Sequence, residues 1–201
     1  MKMDKRLLEE KLFYLRSVTM SGGASCLVGK TPKELLEYCG MQNDTLIDLN
    51  KLVEKLGIVV APVNFTDLEN SSEEMKVMVK ERGNILGMVV KLKNDLVGIL
   101  YDEKSTPHRK RFTVAHEIAH CCLNQVSEEE SYIEFRLDHD NEDEKEIAAN
   151  TFAGELLIPE DKIRDLCSNL IFVDVLELAD TFAVSANVMK ERLKSLKIDY
   201  I

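Results

Sequence analysis

The chain has 201 residues, 45% of them hydrophobic and 31% charged, enough for a sizeable core in one domain with an appendage. A formal net charge of -10 speaks against nucleic acid or an anionic membrane as partner and favours basic ones. There is no apolar run near the ~18 residues a membrane span needs, and residues 1–16 are charged throughout, which speaks against a secretory signal and makes the cytoplasm the expected location.

Residues 4–16 read as an amphipathic helix with Leu7, Leu8, Leu12 and Leu15 on one side, and residues 17–30, with Gly22, Gly23 and Gly29, as a loop or linker. A capping box opens the next helix: Thr31 caps, Pro32 starts, Glu34 takes the third position, and Gly40 is the stop. Asn43 or Asp44 starts another, with Leu49, Leu52, Val53 and Leu56 at helical spacing before Gly57. The periodicity then changes. Residues 58–63, 75–80, 85–92 and 97–101 are short Val- and Ile-rich segments between turn formers, read as three or four strands of a meander with Lys93-Asn94-Asp95 as a hairpin turn. Cys26, Cys39, Cys121, Cys122 and Cys167 include no CxxC pair, which suits reduced thiols acting as small core residues.

Thr106-Pro107 then supplies an N-cap and a first-turn proline for a helix carrying RFTVAHEIAH, residues 111–120. At about 100° per residue, His116 and His120 lie one turn apart on one face, where both can reach one zinc ion at about 2.0 to 2.1 Å. Glu117 projects from the edge of that face, placed to take a proton from a water at the metal. Phe112, Val114, Ala115, Ile118, Ala119, Cys121, Cys122 and Leu123 fill the rest of the wheel, so only Thr113, the two His and Glu117 are polar. A helix apolar nearly all round is a buried one. Its His and Glu side chains need partners there, and a metal supplies one.

Residues 132–137 alternate Ile133, Phe135 and Leu137 with polar side chains, a candidate edge strand. Residues 128–146 hold ten acidic side chains against two basic ones, Arg136 and Lys145, either a solvated loop running into an acidic helix start or a substrate-selecting rim. Zinc hydrolases of this kind use three protein ligands and keep a fourth position for water. A metzincin would place a third His where Val126 stands, which excludes that class. His139 sits in an acidic loop with little to fix it. Glu146, near the start of a helix over residues 142–157, is better placed, with Asn150 one turn on to orient a ligating imidazole; Glu142 shares that face and competes with it. Tyr132 and His139 are candidates for stabilising an oxyanion.

RFTVAHEIAH, followed by Glu146-Ile-Ala-Ala-Asn150-Thr-Phe152-Ala153-Gly-Glu155-Leu-Leu-Ile-Pro159, resembles the ImmA/IrrE metallopeptidases, whose pattern is RFTxAHExxH and then ExxANxFAxELLxP. The resemblance runs from about residue 45 to about residue 196. It implies a zincin-like α+β fold: a small antiparallel or mixed sheet packed on the HExxH helix. It also implies Zn2+ held by His116, His120 and Glu146, with Glu117 as general base and a helix-turn-helix transcriptional repressor as substrate.

Residues from Pro159 to about 169 read as a helix, and residues 175–182 and 186–196 as two more, the last capped by Ser185, in an arrangement resembling a helix-turn-helix. Its Lys190, Arg192, Lys194 and Lys197 are offset by Asp174, Glu177, Asp180, Glu191 and Asp199, so DNA contact is not expected. The anticipated division is an N-terminal helical extension over residues 1–43, a metallopeptidase domain over 44–158 and a C-terminal helical segment over 159–201. The expected activity is an intracellular zinc endopeptidase that cleaves a repressor. The alternative is a metal-stabilised protein that sequesters the repressor uncut; a general base at Glu117 speaks against it, since a purely structural zinc site fills all four positions with protein ligands.

Overall fold

Capping signals set the helix boundaries of the computed structural model, which describes residues 26–66, 84–91, 97–126, 133–137, 144–168 and 172–200 together with Asn70, Glu73, Lys76, Val77 and Lys80. The predicted helix over residues 4–16 lies outside the described residues. Thr31 and Glu34 form the complete capping box of α1 (Pro32–Tyr38), satisfying N–H groups that have no partner within the helix. At its far end Gly40 takes φ 66°, and the Met41 N–H returns to the Leu36 carbonyl at 2.8 Å, a Schellman turn. Helix α2 (Leu49–Leu56) starts later than predicted. Asp48, not Asn43 or Asp44, is its N-cap, because the Asp48 carboxylate accepts from the Asn50 and Lys51 N–H groups.

Strands β1 (Ile58–Val63), β2 (Ile85–Lys91), β3 (Val97–Asp102) and β4 (Ile133–Leu137) form one mixed sheet in the order β1-β3-β2-β4. β1 is parallel to β3, with Ile58 opposite Val97, while β2 is antiparallel to both β3 and β4. The fold class is therefore α+β, but the strands are not a meander: β3 is inserted between β1 and β2. A parallel neighbour cannot be reached by a tight turn and needs a longer crossover. This accounts for a second correction. The strand predicted over residues 75–80 is helical at its described residues Lys76, Val77 and Lys80, and Val77 is 51% exposed, with no sheet face to fill. The turn predicted at Lys93-Asn94-Asp95 lies outside the described residues. β4 takes an edge of the sheet, as its alternation predicts.

Thr106 caps α3 (Pro107–Cys122), and every residue from Thr113 to Cys122 is buried. The helix lies against β2 and β3 and packs along α4 (Glu144–Leu157). Cys26 to Gly29 are more than a linker: Leu27 is wholly buried in the core, and the Gly29 N–H donates to the Cys122 carbonyl at 2.8 Å. Arg111 fixes the start of α3 from the other side through Nη2 to the Ile47 carbonyl, 2.6 Å.

Helices α5 (Glu160–Cys167), α6 (Val175–Thr181) and α7 (Ala186–Ser195) follow, with Asp174 and Ser185 capping the last two. One hydrophobic cluster runs from Leu27 through α3 and α4 to Leu193. Arg192 does not contribute to a basic outer face. It is buried, donating Nε to the Ile158 carbonyl at 3.1 Å and Nη1 to Glu155 at 3.2 Å. Among the described residues no helix is long and apolar enough to cross a membrane.

Candidate metal centre

The polar wedge of α3 faces the first turn of α4. His116 and His120, 0% and 1% exposed, bring their Nε2 atoms to 2.9 Å. Glu146 reaches both, Oε2 lying 3.1 Å from His116 Nε2 and Oε1 3.3 Å from His120 Nε2. Small buried residues on both helices, Ala115 and Ala119 on α3 and Ala149 and Ala153 on α4, suit a close approach of the two.

The other ring nitrogens face side-chain amides. His116 Nδ1 donates to Asn150 Oδ1 at 3.0 Å and His120 Nδ1 donates to Gln125 Oε1 at 2.7 Å, since an amide oxygen can only accept. A ring protonated on Nδ1 alone presents its lone pair at Nε2. Two imidazole nitrogens and a carboxylate converging in a buried space suit a cation among them.

A metal ion fits that arrangement. Donors about 2.0 to 2.1 Å from one tetrahedral ion lie about 3.3 Å from one another, close to the separations found here, and the three potential ligand atoms all lie within 4.8 Å of one another. Burial acts to raise the Glu146 pKa, while hydrogen bonds and charge from protonated His116 and His120 outweigh it and hold the carboxyl down to about 2; a metal cation in the place of those protons acts in the same direction. Positive charge at the centre thus favours the ionised carboxylate.

Glu117, 1% exposed, borders the cluster beside His116. The backbone of β2 passes close over it: a Cβ at Gly87 would stand 2.3 Å from Thr113 Cγ2 and 2.8 Å from Glu117 Oε1. A glycine inside a strand marks such an approach, and that signal was legible at Gly87.

The structure therefore brings together His116, Glu117, His120, Glu146 and Asn150, and adds Gln125 and Gly87, which motif spacing does not single out. Tyr132, His139 and Glu142 lie outside the described residues. A family model for peptidase M78, described as the IrrE N-terminal-like domain, matches residues 63–194, which include all of these positions. No curated protein and no solved structure gives a significant match to the chain.

Proposed function

The chain belongs to the IrrE N-terminal-like domain family of M78 peptidases, and from that premise we propose that it is a zinc-dependent endopeptidase working in the cytoplasm on a helix-turn-helix transcriptional repressor. The observation that carries the reading is the convergence of His116 Nε2, His120 Nε2 and the Glu146 carboxylate beside a buried Glu117. His116, His120 and Glu146 hold the ion, and Asn150 keeps His116 in the tautomer that ligation needs. When bound, zinc supplies Lewis acidity towards a peptide carbonyl and towards water. Glu117 accepts the proton of the attacking water and returns it to the leaving amine. The backbone of Gly87 runs close enough to the Glu117 carboxylate to leave no room for a side chain between them.

None of the five cysteines is joined in a disulfide, which is in keeping with a cytoplasmic setting. The net charge of -10 and the acidic run over residues 128–146 support a basic substrate, as a DNA-binding repressor is.

Glu117→Gln tests the proposal, since it keeps shape but cannot accept a proton. The variant is expected to bind zinc and engage the repressor while cleavage falls by about 10² to 10⁴ or more. Relief of repression by Glu117→Gln as complete as by wild type, with the repressor intact in both, would replace proteolysis by sequestration.

A further inference from the structure

We propose that Gln125 is a positioning residue for the metal centre, holding His120 in its ligating tautomer from the C-terminal turn of the very helix that carries it. The inference rests on the reading of His116, His120 and Glu146 as metal ligands.

Helix α3 ends in a Schellman turn. Asn124 adopts φ 54°, the left-handed region, and its N–H bonds the Cys121 carbonyl at 3.3 Å, while the Gln125 N–H bonds the His120 carbonyl at 2.9 Å. The same residue then turns its side chain back, and Oε1 accepts from His120 Nδ1 at 2.7 Å. Gln125 is thus fastened to His120 twice, through backbone and side chain. An ordinary helical residue five positions on points away from His120; only the left-handed step at Asn124 reverses the chain enough to close this ring. Asn is among the few side chains that enter that region at little cost.

The chemical consequence is specific. Gln has one oxygen that accepts and one nitrogen that donates. With the oxygen on Nδ1, the proton stays there and the Nε2 lone pair faces His116 and Glu146. His116 obtains the same service from Asn150 on a different helix. The Nδ1 atoms are therefore held from two places: that of His116 by Asn150, through the packing of α4 against α3, and that of His120 by Gln125, through the way α3 ends. Losing an outer partner of this type typically weakens metal binding by about 10- to 100-fold.

The test is zinc affinity of the full chain, measured with Zn2+ alone by competition against a chromophoric chelator. Companion readings are the melting temperature of the metal-free protein and the imidazole tautomer from 15N chemical shifts at pH 8. Gln125→Leu removes the acceptor at nearly constant size. We expect zinc affinity to fall by about 10- to 100-fold, with His120 losing its single Nδ1–H tautomer while the metal-free melting temperature stays close to wild type. Gln125→Glu, which still accepts from Nδ1–H, is expected to restore both affinity and tautomer. Wild-type affinity and tautomer in Gln125→Leu would overturn the proposal, as would equal impairment of the Leu and Glu variants with a matching loss of metal-free stability, which marks a structural role only. His116→Ala serves as the control. If it binds zinc like wild type, the ligand assignment itself is wrong and this inference falls with it; if it loses zinc while Gln125→Leu does not, only the role of Gln125 is refuted.

Discussion

His116 Nε2 and His120 Nε2 face each other across 2.9 Å, with their rings T-shaped at 76°. With both Nδ1 atoms donating to amides, two Nε2 lone pairs meet at this contact, an arrangement that a cation between them stabilises. The purified protein is therefore expected to carry about one zinc per chain, and saturation at about 100 times the dissociation constant to stabilise it by about 2.7 kcal/mol. His116→Ala, His120→Ala and Glu146→Ala should each remove most of the bound zinc, read by elemental analysis after gel filtration. Full metal content in Glu146→Ala, with loss in Glu142→Ala or His139→Ala, would reassign the third ligand.

Gly87 is expected to tolerate no side chain. A Cβ there would stand 2.3 Å from Thr113 Cγ2 and 2.8 Å from Glu117 Oε1, inside van der Waals contact with both. Gly87→Ala should cost about 1 to 3 kcal/mol by overpacking, seen as a lower urea midpoint, and should also depress cleavage by displacing Glu117. Adding Thr113→Ser removes the first clash and leaves the second. The double variant is thus expected to regain stability without regaining activity, and recovery of both together would show that Gly87 does not act through Glu117.

Arg192 is expected to matter for stability and not for DNA. Its guanidinium bonds the Ile158 carbonyl and the half-exposed Glu155 from a buried position. Arg192→Ala leaves that carbonyl unpaired, at about 1 to 3 kcal/mol. Arg192→Lys should recover only part, because one ammonium does not reproduce the guanidinium fork. Denaturant unfolding at constant m-value checks this; an unchanged midpoint in Arg192→Ala would refute it.

Burial pushes the Cys122 thiol up to about 12, with Cys26 adding to the shift and Lys30 opposing it. The thiolate is the reactive form, and a raised pKa means almost none is present at pH 8. Iodoacetamide at that pH is expected to spare Cys122 in the folded protein and to modify it readily in urea, as mass spectrometry of the digested chain would show. Rapid labelling of Cys122 in the native state would contradict its placement in the core.

What could be read from the sequence was whatever depends on a few neighbouring residues. Thr106-Pro107 and Thr31-Pro32-Glu34 act on their own helix starts, and the four-residue spacing of His116 and His120, like that of Glu146 and Asn150, becomes a shared face once the segment is helical. Relationships between distant segments were not legible. Nothing in residues 58–63 and 97–102 says that those strands run parallel, and residues 75–80 alternate as a strand would although their described members are helical. The start of α2 was misplaced because Asn43, Asp44 and Asp48 are all able caps, and which one serves depends on where the apolar face of the helix must land. Gln125 escaped because its position relative to His120 rests on one backbone angle, at Asn124.

The insertion of β3 between β1 and β2 also sets a timetable. Lys91 and Val97 can pair as soon as both exist, whereas Ile58 must wait for Val97 to emerge before its parallel partner is available. Contacts between near neighbours form before distant ones because less loop entropy has to be lost. Glu146 and Asn150 come later still, on a helix synthesised after both imidazoles. While the chain is still leaving the ribosome, His116, Glu117 and His120 exist without the Glu146 carboxylate that completes the cluster. Chain order alone thus delays assembly of the candidate metal centre until α4 has been made.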